Sequence, residues 1–160
     1  MLRADMDLVA ELANVSRALG QASLPYAVCG GIAMTIHGHV RATKDIDLLI
    51  RPEDRDRALA IVHGLGYDVP AVPMTFGAGT PSERHVQRVT KLEAGESLTI
   101  DFLLVGPVYE AAWADRESYA WEGTTLTVVS REGLVAMKRI AGRTQDLADI
   151  EQLTGNSTDG

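Results

Sequence analysis

Apolar residues recur along the chain with two different periods. Near the N-terminus, Leu8, Leu12, Val15 and Leu19 lie three or four positions apart, which predicts a helix over residues 7–19. Other segments with this helical period are 32–37, 53–65, 131–141 and 145–153. Short apolar runs typical of strands cover residues 24–29, 45–50, 67–69, 85–92, 98–105 and 124–129. Predicted helices and strands therefore alternate along most of the chain.

The order of these elements predicts an α+β fold with a small mixed sheet flanked by helices. A turn at 94–96 joins the strands over 85–92 and 98–105 into an antiparallel hairpin. Residues 70–82 hold three prolines and two glycines and are predicted to form an irregular loop. Residues 108–119 are predicted to mix helix and turn.

The length of 160 residues predicts a single domain over 1–160. We expect its sheet core within about residues 1–129. Two helices, capped by Ser130 and Thr144, are expected to close over the sheet within about 130–153. Residues 154–160 are small and polar, which predicts a frayed tail.

The composition excludes several classes of protein. A single cysteine excludes a disulfide scaffold and a zinc site built from cysteines. A net charge of −7 argues against a protein that coats nucleic acid. The N-terminus carries Asp5 and Asp7 where a secretory signal needs basic residues, and no run of about 20 apolar residues is present to span a membrane. We therefore expect a cytoplasmic protein with no membrane partner.

Acidic residues interrupt two otherwise apolar strands. Asp45 and Asp47 lie two positions apart, so both point to one face of their strand while Ile46 and Leu48 point to the other. Asp101 stands in a second apolar strand. Two carboxylates about 7 Å apart on one face repel each other unless a cation lies between them. Since Mg²⁺ prefers oxygen ligands, the three aspartates predict a divalent cation site.

The alternative is that these acids are structural. Asp45 would then end a loop, Asp47 would pair with Arg41 or Lys44, and Asp101 would lie at an exposed strand edge. Each aspartate fits this alternative by itself, but the occurrence of all three on the predicted faces favours the cation site.

A glycine pair, Gly30-Gly31, stands where a predicted strand passes into a predicted helix. Glycine lets the backbone approach a ligand closely, and the N–H groups at a helix start bind anions. The pair precedes the Asp45–Asp47 strand, so it predicts a phosphate site in front of the cation site. The structural alternative is a tight turn.

Lys138 lies on the apolar stripe of its predicted helix. Leu134, Lys138 and Ala141 are spaced by four and three positions, which turns the lysine toward the buried side. Its ammonium group then meets a nucleotide phosphate or an aspartate, or extends to water at the rim of the helix.

Two acids follow on the last predicted helix. Asp146 falls in its first turn, where a negative charge is favoured by the helix dipole, and Asp149 can pair with Arg143 or Arg139. We expect structural roles for both acids.

These motifs together resemble the nucleotidyltransferase superfamily that includes DNA polymerase beta. The family pattern is a glycine pair, a short helix, an Asp-x-Asp strand and a third aspartate on a later strand. The matching segments here are 30–34, 41–48 and Asp101. Lys138 and the segment 142–149 also resemble the tail motifs of the compact bacterial branch typified by the AbiEii-like toxins. The resemblance covers most of the chain and implies a minimal nucleotidyltransferase fold.

The resemblance implies that a nucleoside monophosphate is transferred from an NTP to an acceptor hydroxyl, with release of pyrophosphate. It implies two Mg²⁺ or Mn²⁺ ions held by Asp45 and Asp47. Asp101 would hold the ion nearer the acceptor and help to deprotonate the acceptor hydroxyl.

The resemblance also implies a nucleotide-binding set. The backbone N–H groups of Gly30 and Gly31 would receive the phosphates. Lys138 would neutralise charge on the triphosphate, and Arg41 or Lys44 would assist it.

The sequence leaves the acceptor open. The resemblance implies RNA (the 3′ end of tRNA) or a protein hydroxyl, in a toxin-like enzyme with an antitoxin partner. One alternative is an enzyme that transfers AMP to a small molecule such as an antibiotic. The other is a non-catalytic module that binds a nucleotide or a partner protein.

Overall fold

A computed structural model describes the backbone of residues 2–40 and 42–155, and the side chains from residue 8 onward. Arg41, one of the candidate nucleotide-binding residues, lies outside the described residues. So do residues 156–160 of the predicted tail.

Helices and strands alternate as the sequence predicts. The helices are α1 (Leu2–Gln21), α2 (Gly30–Ile36), α3 (Arg55–His63), α4 (Glu110–Ala114), α5 (Arg131–Ala141) and α6 (Thr144–Thr154). The strands are β1 (Ala27–Cys29), β2 (Asp45–Ile50), β3 (Val69–Pro70), β4 (Met74–Phe76), β5 (Arg84–Glu93), β6 (Glu96–Leu104), β7 (Glu117–Trp121) and β8 (Thr124–Val128). Short 3₁₀ turns at Pro52–Asp54 and Pro107–Tyr109 precede α3 and α4.

The strands of the described residues form one mixed sheet in the order β3-β5-β6-β2-β1-β8-β7, with β4 paired to β5. β2 and β6 are parallel, and so are β1 and β8. The β1–β2, β5–β6 and β7–β8 neighbours are antiparallel. The predicted α+β class and the predicted β5–β6 hairpin are confirmed.

The sheet has one apolar face and one face that carries acids. Ile46 and Leu48 of β2 are at most 1% exposed and belong to the main core. Asp45, Asp47 and Asp101 point to the opposite side, which we call the acid face. α1 packs over the apolar face, and α5 covers part of the acid face.

The last two helices begin by different capping arrangements. Ser130 is the predicted cap of α5, and its hydroxyl accepts the N–H of Gly133 at 3.0 Å. The predicted cap of α6, Thr144, is wrong. Thr144 is the first helical residue, and Arg143 is the cap, its N–H donating to Asp146 Oδ2 at 3.1 Å.

Several predicted boundaries shift. α1 begins at Leu2 and not at residue 7, and the strand predicted over 24–29 is limited to β1. The helix predicted over 53–65 is divided into the 3₁₀ turn and α3. Pro52 favours the start of the turn, and α3 ends early because Gly64 and Gly66 follow it. At the other end of the chain, the helix extends through Thr154, so the predicted tail starts too early.

Two strands are absent from the sequence-based prediction. β4 lies inside the segment predicted to be a loop, where three residues pair with the start of β5. β7 lies at the edge of the sheet and pairs with β8 across the turn Glu122-Gly123, in which both residues have positive φ. Such a turn is typical of a tight hairpin.

Candidate active site

Four side chains stand in one row across the acid face. The strand registers pair Cys29 of β1 with Asp47 of β2, Asp47 with Asp101 of β6, and Asp101 with Arg88 of β5. Asp45 lies two residues before Asp47 on the same face. The sheet therefore brings the three predicted acids together, since neighbouring strands are only about 4.8 Å apart.

Asp47 carries the most perturbed carboxyl of the three. Burial raises its pKa from 3.8 to about 7, and the negative charges of Asp101 and Asp45 add to the effect, while Arg88 and Lys138 oppose it. The pKa of Asp45 is raised as well, first by burial and then by Asp101. The acid face thus holds more negative charge than its own cations neutralise.

The structural alternative for these acids fits only in part. Asp101 lies on an interior strand and not at a sheet edge, and it pairs with Arg88. The described residues include no hydrogen-bond or ion-pair partner for Asp47, and Lys44 is exposed. Asp45 begins β2, and its backbone N–H donates to the Thr43 hydroxyl at 3.3 Å.

The Arg88–Asp101 ion pair was not found by the sequence analysis. Arg88 Nε lies 2.8 Å from Asp101 Oδ1, and Nη2 lies 2.9 Å from Oδ2. Both oxygens of the third acid are therefore bound by one guanidinium. The signal for this pair was present, because counting outward from the two-residue turn Ala94-Gly95 places Arg88 opposite Asp101.

The glycine pair lies against the acid strand. Gly30 has φ +69°, and a β-carbon there would come within 2.8 Å of Asp47 Cγ and closer still to Oδ2. A β-carbon on Gly31 would lie 3.0 Å from Thr43 Cβ. Both glycines belong to the first turn of α2, whereas the sequence placed them before the helix, and no side chain caps this helix start.

A cleft of about 120 Å³ opens beside Asp47 and Gly30, and we call it the Asp47 cleft. Its walls combine residues from the sheet, from α5 and from the start of α6, namely Cys29, Gly30, Asp47, Leu103, Tyr109, Leu134, Met137, Lys138, Ala141, Arg143 and Asp146. Gly30, Asp47 and Lys138 from the predicted site residues thus meet at one cavity. Among the other predicted site residues that the structure describes, Asp45, Asp101, Lys44 and Gly31 do not line it.

Lys138 is held in a buried ion cluster between α5 and α6. Its Nζ lies 2.9 Å from Asp149 Oδ2 and 3.6 Å from Asp146 Oδ1. Lys138 is 8% exposed, and the two acids are 1% and 2% exposed. The predicted burial of Lys138 is confirmed, and the anions it meets in this structure are aspartates. Asp149 also accepts a hydrogen bond from Gln145 at 2.9 Å, and its charge acts on Arg143, one of its two suggested partners.

Arg143 joins this cluster from the solvent side. Its Nε donates to Asp146 Oδ2 at 2.6 Å and its Nη2 donates to Oδ1 at 3.1 Å. These bonds lower the pKa of Asp146 although burial acts in the opposite direction. The Asp47 cleft therefore has two cationic side chains, Lys138 and Arg143, on the wall that faces Asp47.

The described residues contain no cluster of three or more His, Cys, Asp or Glu side chains placed to hold a metal ion. Both oxygens of Asp101 are hydrogen-bonded to the Arg88 guanidinium instead. None of the helices in the described part of the chain is long and apolar enough to cross a membrane.

Several solved structures are similar to this chain over most of its length. The solution structure of the antibiotic-resistance factor ANT(2'')-Ia matches with a TM-score of 0.63 at 19% identity, covering 97% of this chain and 86% of that chain. A Thermotoga maritima protein described as a nucleotidyltransferase, TM1012, matches with a TM-score of 0.64 at 12% identity and 94% coverage of both chains. The lincomycin-bound lincosamide antibiotic adenylyltransferase LnuA matches with a TM-score of 0.58 at 15% identity, covering 91% of this chain and 95% of that one.

These likenesses show that the chain has the nucleotidyltransferase fold, as the motifs predicted. No protein-family model matches the sequence, and no curated protein matches it.

Proposed function

We propose that this protein is a nucleotidyltransferase that moves a nucleoside monophosphate from an NTP to an acceptor hydroxyl. The observation that carries the proposal is the row of acids on the acid face, with Asp47 and Asp101 in register on neighbouring parallel strands beside Gly30. The fold supports it, since solved structures with this fold include antibiotic adenylyltransferases.

The donor set suits a hard divalent cation. Asp45, Asp47 and Asp101 offer only carboxylate oxygens, which are the ligands that Mg²⁺ and Mn²⁺ prefer. Burial and the repulsion from Asp101 and Asp45 raise the pKa of Asp47 to about 7. The carboxylate is therefore costly to ionise by itself, and a bound cation would offset that cost. Asp45 and Asp47 would hold the ions, and Asp101 would join them. When bound, such ions polarise the triphosphate and neutralise the charge that develops on the leaving pyrophosphate.

The protein itself contributes positioning and charge. The backbone N–H groups of Gly30 and Gly31 would contact the phosphates, because neither residue has a side chain to exclude them and none caps this turn. Lys138 and Arg143, on the opposite wall of the Asp47 cleft, are paired with Asp149 and Asp146, and they would turn to the triphosphate when it binds. Lys44 is exposed next to Asp45 and would act from the solvent side. Arg41 would assist it, as the motif resemblance implies. Fixed charges of this kind supply much of the rate in phosphoryl transfer.

The transfer forms one bond and breaks one. The acceptor oxygen bonds to the α-phosphorus, and the bond from this phosphorus to the bridging oxygen of pyrophosphate breaks. The acceptor proton passes to a base on the acid face, for which Asp101 is the candidate because it lies on the β5 side, away from the Asp47 cleft.

Metal-dependent nucleotide binding tests the proposal. Isothermal titration of each NTP should show binding in the presence of Mg²⁺ and weak or no binding in EDTA. Asp47→Asn should weaken the binding in Mg²⁺, and Asp68→Asn, an exposed acid outside the site, should not. Equal binding with and without EDTA would contradict a site built from these carboxylates. It would instead favour the non-catalytic nucleotide-binding alternative.

Two classes of acceptor have different support. A small-molecule acceptor is favoured by the solved structures, which include ANT(2")-Ia in complex with adenylyl-2"-tobramycin. An RNA or protein acceptor, in a toxin-like enzyme with an antitoxin partner, is favoured by the tail motif and by Arg84 and Arg88, which add positive charge on the β5 side of Asp101. A labelled NTP supplied with total RNA, with protein and with a panel of antibiotics separates these classes by the molecule that retains the label.

A further inference from the structure

Arg88 forms an ion pair with Asp101 in which both carboxylate oxygens accept hydrogen bonds. Its guanidinium contacts both carboxylate oxygens, at 2.8 and 2.9 Å, across the antiparallel β5–β6 pair. The Asp101 side chain is 13% exposed, so few directions remain open to it, whereas the Arg88 side chain is 44% exposed. The pair therefore joins a mostly buried carboxylate to a guanidinium that has room to move into solvent.

We propose that Arg88 is the internal counter-ion of the acid face, and that a divalent cation must displace it from Asp101. This inference rests on the proposed function and adds a regulatory contact to it. In the ligand-free protein the guanidinium neutralises part of the charge that Asp45, Asp47 and Asp101 place on one face. With metal and nucleotide bound, Asp101 turns from Arg88 to the ion, and Arg88 moves to solvent or toward the acceptor.

The exchange leaves no charged group of the protein without a partner or without water. The Arg88 side chain is 44% exposed, so water solvates the guanidinium once it is released. Asp101 keeps a cationic partner in both states and is never left alone among the other acids. The described side chains show no preformed metal cluster although three acids share a face, and Arg88 binds both oxygens of one of these acids.

Arg84 provides a matched control on the same strand. It lies four residues before Arg88 and on the same face of β5, so its removal subtracts the same charge. Arg84 contacts the Ser82 carbonyl at 3.0 Å and lies over the Phe76 ring at 5.4 Å, and it has no contact with Asp101. A difference in cation affinity between the Arg88 and Arg84 variants is therefore due to the Arg88–Asp101 ion pair and not to the loss of one positive charge from β5.

The test is Mn²⁺ affinity, measured by electron paramagnetic resonance with and without a non-hydrolysable NTP analogue. Arg88→Met should bind Mn²⁺ about tenfold more tightly than the wild type, because Asp101 then has no pair of charged hydrogen bonds to break before it reaches the ion. Arg84→Met should stay within about twofold of the wild type, since Arg84 has no contact with Asp101 and its charge is farther from the acids. Arg88→Lys keeps the charge but cannot span both oxygens, so its affinity should lie between the two.

The Arg88→Met change is also made in an Asp101→Asn variant, to test whether Arg88 competes with the cation for Asp101 or only supports the fold. If Arg88 acts by occupying Asp101, Arg88→Met should have no further effect on Mn²⁺ affinity in that background. Melting curves without metal establish that each variant is folded. Wild-type affinity or weaker affinity in Arg88→Met, with Mn²⁺ binding intact in the wild type, would overturn the counter-ion role alone. Absence of Mn²⁺ binding in every protein, even with the nucleotide analogue, would overturn the proposed function and this inference with it.

Discussion

Gly30 and Asp47 are in such close contact that no side chain fits between them. A β-carbon on Gly30 would lie 2.8 Å from Asp47 Cγ, and Gly30 also has φ +69°, a conformation that other residues adopt at a cost. The two motifs that the sequence presents as separate, a glycine pair and an acid pair, are therefore one packed unit. The glycine keeps the Asp47 carboxylate in place and leaves the adjacent backbone open to a ligand.

Gly30→Ala should disturb both stability and the acid face. The left-handed backbone alone costs about 1–2 kcal/mol of the free energy of unfolding, and the overlap with Asp47 adds to it. Thermal or chemical unfolding measures the loss. Gly20→Ala is the control, because a β-carbon there meets nothing within 4 Å and the residue lies in the last turn of α1 without positive φ. Equal effects of the two changes would show that the contact with Asp47 is unimportant.

Asp47→Asn should stabilise the ligand-free protein at neutral pH and above. Folding raises the pKa of Asp47 from 3.8 to about 7, so the folded state binds this proton more tightly than the unfolded state. The resulting stability is present below about pH 4 and is lost as the pH rises through 7. At about 1.4 kcal/mol per pKa unit, the cost of ionising Asp47 amounts to at most about 4 kcal/mol. Asparagine cannot ionise and avoids this cost.

Unfolding of the wild type and of Asp47→Asn at pH 5 and pH 8 measures the difference. The advantage of the variant should grow with pH, and it should shrink when Mg²⁺ and NTP are added, because the ligands stabilise only the wild-type carboxylate. A difference between the proteins that is independent of pH would contradict the raised pKa of Asp47.

Lys138→Met should destabilise the fold. The ammonium lies 2.9 Å from Asp149 and 3.6 Å from Asp146, and all three residues are buried. Removal of one partner leaves the buried acids without it and costs about 3–5 kcal/mol in the free energy of unfolding. Arg139→Met is the control, because Arg139 follows on the same helix and is exposed. The double change Lys138→Met with Asp149→Asn should recover part of the loss.

The same variants separate structure from ligand binding at Lys138. The lysine lines the Asp47 cleft, so a role toward the triphosphate requires that the nucleotide draw its ammonium from Asp149. In that case the stabilisation of Lys138→Met by Mg-NTP should fall well below that of the wild type. Unaltered stabilisation by Mg-NTP would assign Lys138 to the fold alone.

The sequence predicted best where a residue's own neighbours determine its structure. The bounds of β2 were predicted correctly, because apolar and acidic residues alternate over its first half. The bounds of α5 were correct as well, because Ser130 begins it and Gly142, with φ +64°, ends it. β7 was missed, since five residues with a glutamate and an alanine carry no strand pattern until they pair with β8.

The contacts of the candidate site depend on register and packing, which a single strand or helix does not reveal. The presence of Asp45, Asp47 and Asp101 on one face followed from alternation and a shared sheet. The ion pairs that Asp101 and Lys138 form were not predicted from these patterns. Arg88 reaches Asp101 only through the β5–β6 register, and Lys138 reaches Asp149 only through the packing of α5 on α6.

Transfer of the α-phosphate is the most direct test of the proposed chemistry. The wild-type protein with Mg²⁺ is incubated with each NTP labelled at either the α- or the γ-phosphate, in the presence of total RNA, protein and antibiotics. A nucleotidyltransferase should transfer the α-label to one acceptor, release the γ-label as pyrophosphate, and lose this transfer by orders of magnitude in folded Asp47→Asn. Retention of the γ-label on an acceptor, or equal α-transfer by Asp47→Asn, would contradict nucleotidyl transfer at the acid face.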